Sequence, residues 1–148
     1  MNMSMNKSKW GAALAAVGMM AVLASCASMR PIMGWQKVEL SGGNEVPAVV
    51  TTAAGTATVT IKDDRSVVAQ VTVTGMTATA SHIHEGASGT NGPVIVPFTK
   101  TGDNTFASAD GAKLTEAQYA AYKAGNLYVN VHTAKNPGGE VRGQLKGN

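Results

Sequence analysis

The chain has 148 residues, of which 14 % are charged and 5 % aromatic, with 17 glycines and a single cysteine. That length suits one ordinary domain, a lone cysteine excludes an internal disulfide, and so mild a charge balance, +3 at neutral pH, argues against a nucleic-acid partner. Thr, Val, Ala and Gly dominate, a composition that favours short strands and tight turns over a helical bundle.

The first 25 residues have the layout of a signal peptide. Lys7 and Lys9 form a basic start, and Trp10 to Leu23 is an uncharged run of small and apolar residues. At about 14 residues the run is short for a membrane-spanning helix, which needs roughly 20. Leu23-Ala24-Ser25-Cys26 follows and resembles a bacterial lipobox, whose cysteine is lipidated and becomes the first residue of the mature chain. The alternative is an ordinary secretory signal with a cysteine there by chance; position and spacing favour lipidation. Removing Lys7 and Lys9 takes the 12 basic residues to 10, against 9 acidic ones, so the mature net charge is about +1. Several acyl chains on Cys26 would make a durable membrane anchor, each buried CH₂ contributing roughly 0.8 kcal/mol. Ala27 is not the aspartate associated with inner-membrane retention, so the outer membrane is expected if the cell has two. Residues 26–34 read as a spacer and 35–148 as the folded domain.

Trp35 to Leu40 reads as the first strand, followed by a Ser41-Gly42-Gly43-Asn44 loop. Val49 to Thr52 is expected to be extended. Gly55 to Ile61 places Ala57, Val59 and Ile61 on one face. Val67, Ala69, Val71 and Val73 alternate in the same way beyond the polar Lys62–Ser66 turn, so the two runs form a hairpin with one buried face. Thr79 to Glu85 is a further strand. Val94 to Phe98 is another, placed at an edge by Pro97, and Thr105 to Ala107 is a short extended piece. One helix is predicted over 116–124, with Thr115 as N-cap, Gln118 as its capping-box partner and Gly125 just past its end. Two strands close the chain, Tyr128–Thr133 and a run through Val141-Arg142-Gly143-Gln144-Leu145. The whole predicts a mainly β domain, an antiparallel Greek-key-like sandwich or barrel with one short helix.

Chemistry concentrates in three of these strands. The chain has three histidines: His82, His84 and His132. Residues two apart on a strand share a face, so His82 and His84 stand together opposite Ile83. His132 shares a face with Tyr128 and Asn130, opposite Val129 and Val131. If the aliphatic residues line the core, the histidines face outward, and so does Arg142. A site built there would lie on the outside of a sheet, covered by the loops at 86–92 and 133–139. Three imidazoles suit copper, zinc, iron or nickel. Glu85, Asn130 and Tyr128 are expected to orient or surround the rings. The bland alternative is that each histidine is simply hydrogen-bonded, and that Arg142 forms a surface ion pair with Glu140 or Glu85, a pair worth about 0–1 kcal/mol.

Asn44-Glu45-Val46-Pro47, His82-Ile83-His84-Glu85-Gly86, Gly92-Pro93-Val94, Tyr128 through Thr133 and Gly138 through Leu145 occur in the order found in the CHRD domain, which this chain resembles from about Trp35 to Leu145. The resemblance implies a β-sandwich or barrel and leaves the biochemical role undefined. A second resemblance is to copper–zinc superoxide dismutases, with a His-X-His strand, a later Val-His strand and a Gly-rich stretch leading to an arginine. It implies copper on His82, His84 and His132, with superoxide, a small anion, guided by Arg142. The chain departs from that pattern in having no fourth histidine, no zinc-site histidines and no disulfide. A three-coordinate site of this kind would suit Cu(I). Two other readings stand beside dismutation: a lipid-anchored interaction module without catalysis, and a copper storage or delivery protein with the same ligands and no turnover. No Ser–His–carboxylate spacing or phosphate-cradling loop points to hydrolase or nucleotide chemistry.

Overall fold

Alternating strands with one apolar face must cover that face, and here a single antiparallel sheet does so by closing on itself. The computed structural model describes residues 34–147; the expected signal peptide over 1–25, Cys26 and the expected spacer up to residue 33 lie outside the described residues. The strands are β1 (Trp35–Ser41), β2 (Ala54–Ile61), β3 (Val67–Thr74), β4 (Ala78–Glu85), β5 (Val94–Gly102), β6 (Thr105–Ser108), β7 (Leu127–Thr133) and β8 (Val141–Gln144), with helix α1 (Glu116–Lys123) before β7. They form a closed barrel in the order β1-β2-β3-β6-β5-β4-β7-β8. Within it β4, β5 and β6 follow one another and β7 returns beside β4, which is a Greek key. The expected sandwich or barrel is thus a barrel, and the seam is closed by β1 against β8, where Ser41 opposes Arg142.

Period-two alternation fills the interior. In β3, Val67, Ala69, Val71 and Val73 are buried while Val68 between them is exposed. Their partners Ala57, Val59 and Ile61 on β2 join Ile83, Val129, Val131 and Val141 in the same apolar cluster. Each fully buried aliphatic side chain contributes about 1.5–3 kcal/mol. The helix lies in the crossover from β6 to β7. Its Thr115 capping box with Gln118 is formed on both sides, and Gly125 adopts a φ of 76° just beyond it. Tyr122 is buried and its hydroxyl accepts from Gln36 at 3.2 Å, while the Tyr119 hydroxyl donates to Asp63 at 3.0 Å. These contacts tie the crossover to β1 and to the β2–β3 turn.

Two local expectations are corrected. Val49 to Thr52 forms no strand; it belongs to a long loop from Gly42 to Ala53, pinned by Val49 N–H donating to Gly42 O at 2.9 Å. Pro97 does not mark a sheet edge, because β5 has neighbours on both sides. It pairs with His82 on β4, and pairing with β6 begins only at Phe98, so the missing N–H falls where the short β6 has ended.

Candidate functional site

Register places the site. On β4 and β7, Ala80 opposes His132, His82 opposes Asn130 and His84 opposes Tyr128; on β7 and β8, Tyr128 opposes Gln144 and Asn130 opposes Arg142. Directly opposed residues share a face. Ile83, Val129, Val131 and Val141 turn inward to the core, so these polar residues all stand on the outer surface of the barrel. Outward does not mean exposed: every residue of β7 is buried, and Arg142 is only 1 % exposed.

Loops supply the cover. The 86–93 loop contributes its Gly92 N–H to the Tyr128 hydroxyl at 3.1 Å and the carbonyl of Ala87 to Arg142 at 3.2 Å. The 134–140 loop is fastened by Glu140, whose carboxylate accepts from Thr133 at 2.6 Å and Thr51 at 2.7 Å. Through Thr51 it also holds the 42–53 loop, a third cover that the sequence reading does not anticipate. That loop brings in Glu45, a buried carboxylate missed as a site residue. The signal for it is its place in Asn44-Glu45-Val46-Pro47, one of the segments that carry the resemblance to the CHRD domain, with no strand to explain it. Gly139, with a φ of 132°, passes so close that a Cβ there would collide with the Glu45 carboxylate and the Asn130 amide. That close approach requires glycine.

The three histidines meet. Their ligand atoms all lie within 4.8 Å of one another. His84 Nδ1 is 2.9 Å from Gly92 O and His132 Nδ1 is 2.9 Å from Pro137 O. A carbonyl only accepts, so both Nδ1 atoms carry the ring proton and both Nε2 atoms keep a lone pair. His82 Nδ1 lies 3.0 Å from His132 Nε2, and moving the His82 proton to Nε2 would turn its Nδ1 lone pair inward as well. His84 Nε2 is buried and has no hydrogen-bond partner. Burial lowers the pKa of all three rings: that of His82 falls to about 4, helped by His132 and His84 beside it, and those of His84 and His132 fall although the two carbonyls act to raise them. The group therefore holds three neutral imidazoles near pH 7, the form that ligates metal. Bonds of 2.0–2.1 Å in a tetrahedral set put nitrogens about 3.3 Å apart. The His82–His132 edge, at 3.0 Å, is already that short, and the widest separation would need to close by up to about 1.5 Å.

The other expected site residues fall in different places. Tyr128 stacks on His84, with ring centroids 4.9 Å apart and planes 10° from parallel. Asn130 lies between His82 and Arg142 in register. Glu85 opposes Leu127, a core residue, so it occupies the face away from the histidines and orients none of them; backbone carbonyls do that instead. Arg142 makes no ion pair with Glu140 or Glu85, the one ion pair among the described residues being Lys37–Glu39. Its guanidinium sits 3.4 Å from the centre of the Tyr128 ring and donates to Asn91 Oδ1, Ala87 O and Gln144 Oε1 at 3.2–3.3 Å. β7 lies between β4 and β8, so the Tyr128 ring stands between Arg142 and His84. Arg142 opens instead on a polar cavity of about 290 Å³ lined also by Asn44, Glu45, Ser88 and Gln144. This placement gives no geometric support to direct guidance of an anion onto the histidines.

Fold and site together define an eight-stranded antiparallel barrel that carries a loop-covered histidine group, able to hold a metal ion, on its outer wall. The family model of the CHRD domain matches residues 36–145, most of the chain, and the chain belongs to that family. No curated protein and no solved structure matches it.

Proposed function

We propose that the chain is an envelope protein, anchored by lipid on Cys26, whose outer-wall histidines bind a single copper ion. The observation that carries the metal reading is the pinning of His84 and His132 through Nδ1, which leaves unprotonated Nε2 atoms facing His82. Copper is favoured by the donor set. Three imidazoles with no thiolate suit the late first-row ions, and among divalent ions affinity peaks at copper. His82, His84 and His132 would hold the ion, which would supply one-electron chemistry. The chain's own residues fix two ring tautomers, exclude most water and place Tyr128 as a flat wall beside His84.

Titration of the purified chain with Cu(II) and Cu(I), repeated with each histidine changed to alanine, tests the reading. One equivalent should bind, and loss of any one histidine should weaken it at least about tenfold. Stoichiometric binding that survives loss of two histidines would overturn the site. Superoxide dismutation is the further step suggested by the motif order. A dismutase assay on the copper-loaded chain decides it: binding without turnover leaves a copper-holding or copper-delivering protein. Labelling with a radioactive fatty acid, lost in Cys26→Ser, checks the anchor.

A further inference from the structure

Among the described residues, three buried side-chain atoms have no hydrogen-bond partner: His84 Nε2, Asn130 Oδ1 and Glu45 Oε1. An unmade hydrogen bond on a buried group costs about 1–3 kcal/mol, so three on one patch of one face call for an explanation. Two of them are neighbours. Asn130 is directly opposite His82 in register and two residues before His132 on the same face. Its side chain is close enough to His84 to act on that ring as a hydrogen-bonding group. Its Nδ2 is turned instead to Gly138 O, at 3.4 Å. The amide therefore presents its oxygen to the histidines. His84 Nε2 is a lone pair as well, because its Nδ1 holds the proton. Both acceptors are buried on the same face, and neither has a donor. What such a pair lacks is a cation.

Resting on the copper reading above, we propose that Asn130 is the fourth ligand, its Oδ1 completing a three-nitrogen, one-oxygen set. A carbonyl oxygen is a harder donor than imidazole and favours a divalent ion over Cu(I). The sequence resemblance alone implies a three-coordinate site suited to Cu(I); a fourth donor from Asn130 would make the same site hold Cu(II) as well. Asn130 thus decides which oxidation state the site prefers.

The test compares Cu(II) and Cu(I) affinities and the Cu(II) EPR spectrum of the purified chain with those of Asn130→Ala, Asn130→Asp and His84→Ala. The aspartate variant is isosteric and guards against a folding failure of the alanine one. A ligand role predicts that Asn130→Ala weakens Cu(II) by about tenfold or more, changes Cu(I) far less and alters the Cu(II) hyperfine splitting. It predicts that Asn130→Asp tightens Cu(II), since a charged oxygen replaces a neutral one. Equal losses for both oxidation states with an unchanged spectrum would make Asn130 only a positioning residue and overturn the proposal. Unchanged affinities in both Asn130 variants, with binding abolished in His84→Ala, would overturn it and leave the histidine site standing. Absence of copper binding to the unaltered chain would overturn the site itself.

Discussion

The two sides of the Tyr128 ring differ in kind. On the β4 side stand lone pairs: three neutral imidazoles and the oxygen of Asn130, two of these atoms, His84 Nε2 and Asn130 Oδ1, without a donor. On the β8 side stands a permanent cation, three of whose five N–H donors go to Asn91, Ala87 and Gln144. Both lie on the same outer wall, buried except for the half-buried His82, with the Tyr128 ring centre 3.4 Å from the guanidinium and 4.9 Å from that of His84. A guanidinium next to a metal site would repel the ion. Here an aromatic face receives the cation directly, an attraction worth about 0.5–2 kcal/mol, and fills the space that would otherwise let it reach the histidines. One side is ready to accept a positive charge, and the other has already satisfied one.

Removing the wall should have the largest effect. Tyr128→Ala takes away a nearly fully buried ring that touches both sides, and it should cost about 3–5 kcal/mol in urea unfolding. A loss below about 1 kcal/mol would mean that the two sides do not depend on the ring. The next effect is in pH. Burial raises the pKa of Glu45 from 4.5 to about 7, against the pull of Arg142. The folded state then binds the Glu45 proton more tightly than the unfolded one, so stability is lost as pH rises from about 4.5 to 7, by up to about 3 kcal/mol. The histidines carry the opposite sign. Their folded pKa values are depressed, so they contribute stability above about 6.5 that is lost as pH falls through that of the folded state, about 4 for His82. Between pH 4.5 and 6.5 the two slopes offset each other in the native chain. Glu45→Gln should remove the falling limb, leaving stability that climbs with pH and exceeds that of the native chain at pH 8. Parallel pH profiles for the two proteins would refute the assignment.

Arg142→Met should cost about 2 kcal/mol, because the acceptors on Asn91, Ala87 and Gln144 lose their donor while the methionine refills the space. Copper affinity should hold or rise, since a nearby positive charge is gone. A fall of tenfold or more would show that Arg142 supports the metal side after all.

How much of this was legible in the chain follows from periodicity. Val67 through Thr74 and Ala54 through Ile61 declare their inner faces by strict alternation, and the same rule places His82, His84, His132 and Arg142 outward. Thr115, Gln118 and Gly125 mark the helix because caps are local chemistry. Alternation gives a face but not a neighbour: only the register of β4 on β7 and of β7 on β8 places Tyr128 between Arg142 and His84, and it puts Glu85 opposite Leu127, on the core side. Val49 to Thr52 is rich in β-branched residues, a composition that suits a strand although the segment forms a loop. Its fixing points, Gly42 O and Glu140, are a turn carbonyl and a residue 89 positions from Thr51, and no local pattern announces such a contact. Glu45 was lost with it.

The smallest expected effect isolates the hydroxyl of the wall from its ring. Tyr128→Phe keeps the stack on His84 and the seat for Arg142 but deletes the acceptor for the Gly92 N–H. The cost should be about 1 kcal/mol, the ordinary worth of one hydrogen bond. Gly92 also offers the carbonyl that holds the proton on His84 Nδ1. Loosening that residue therefore loosens the orientation of one proposed ligand, and copper affinity should fall by about tenfold, the low end for loss of an orienting partner. The Arg142 side takes nothing from the hydroxyl and should be unmoved. A phenylalanine variant with full copper affinity would show that the ring alone, by its stack, sets the geometry of His84.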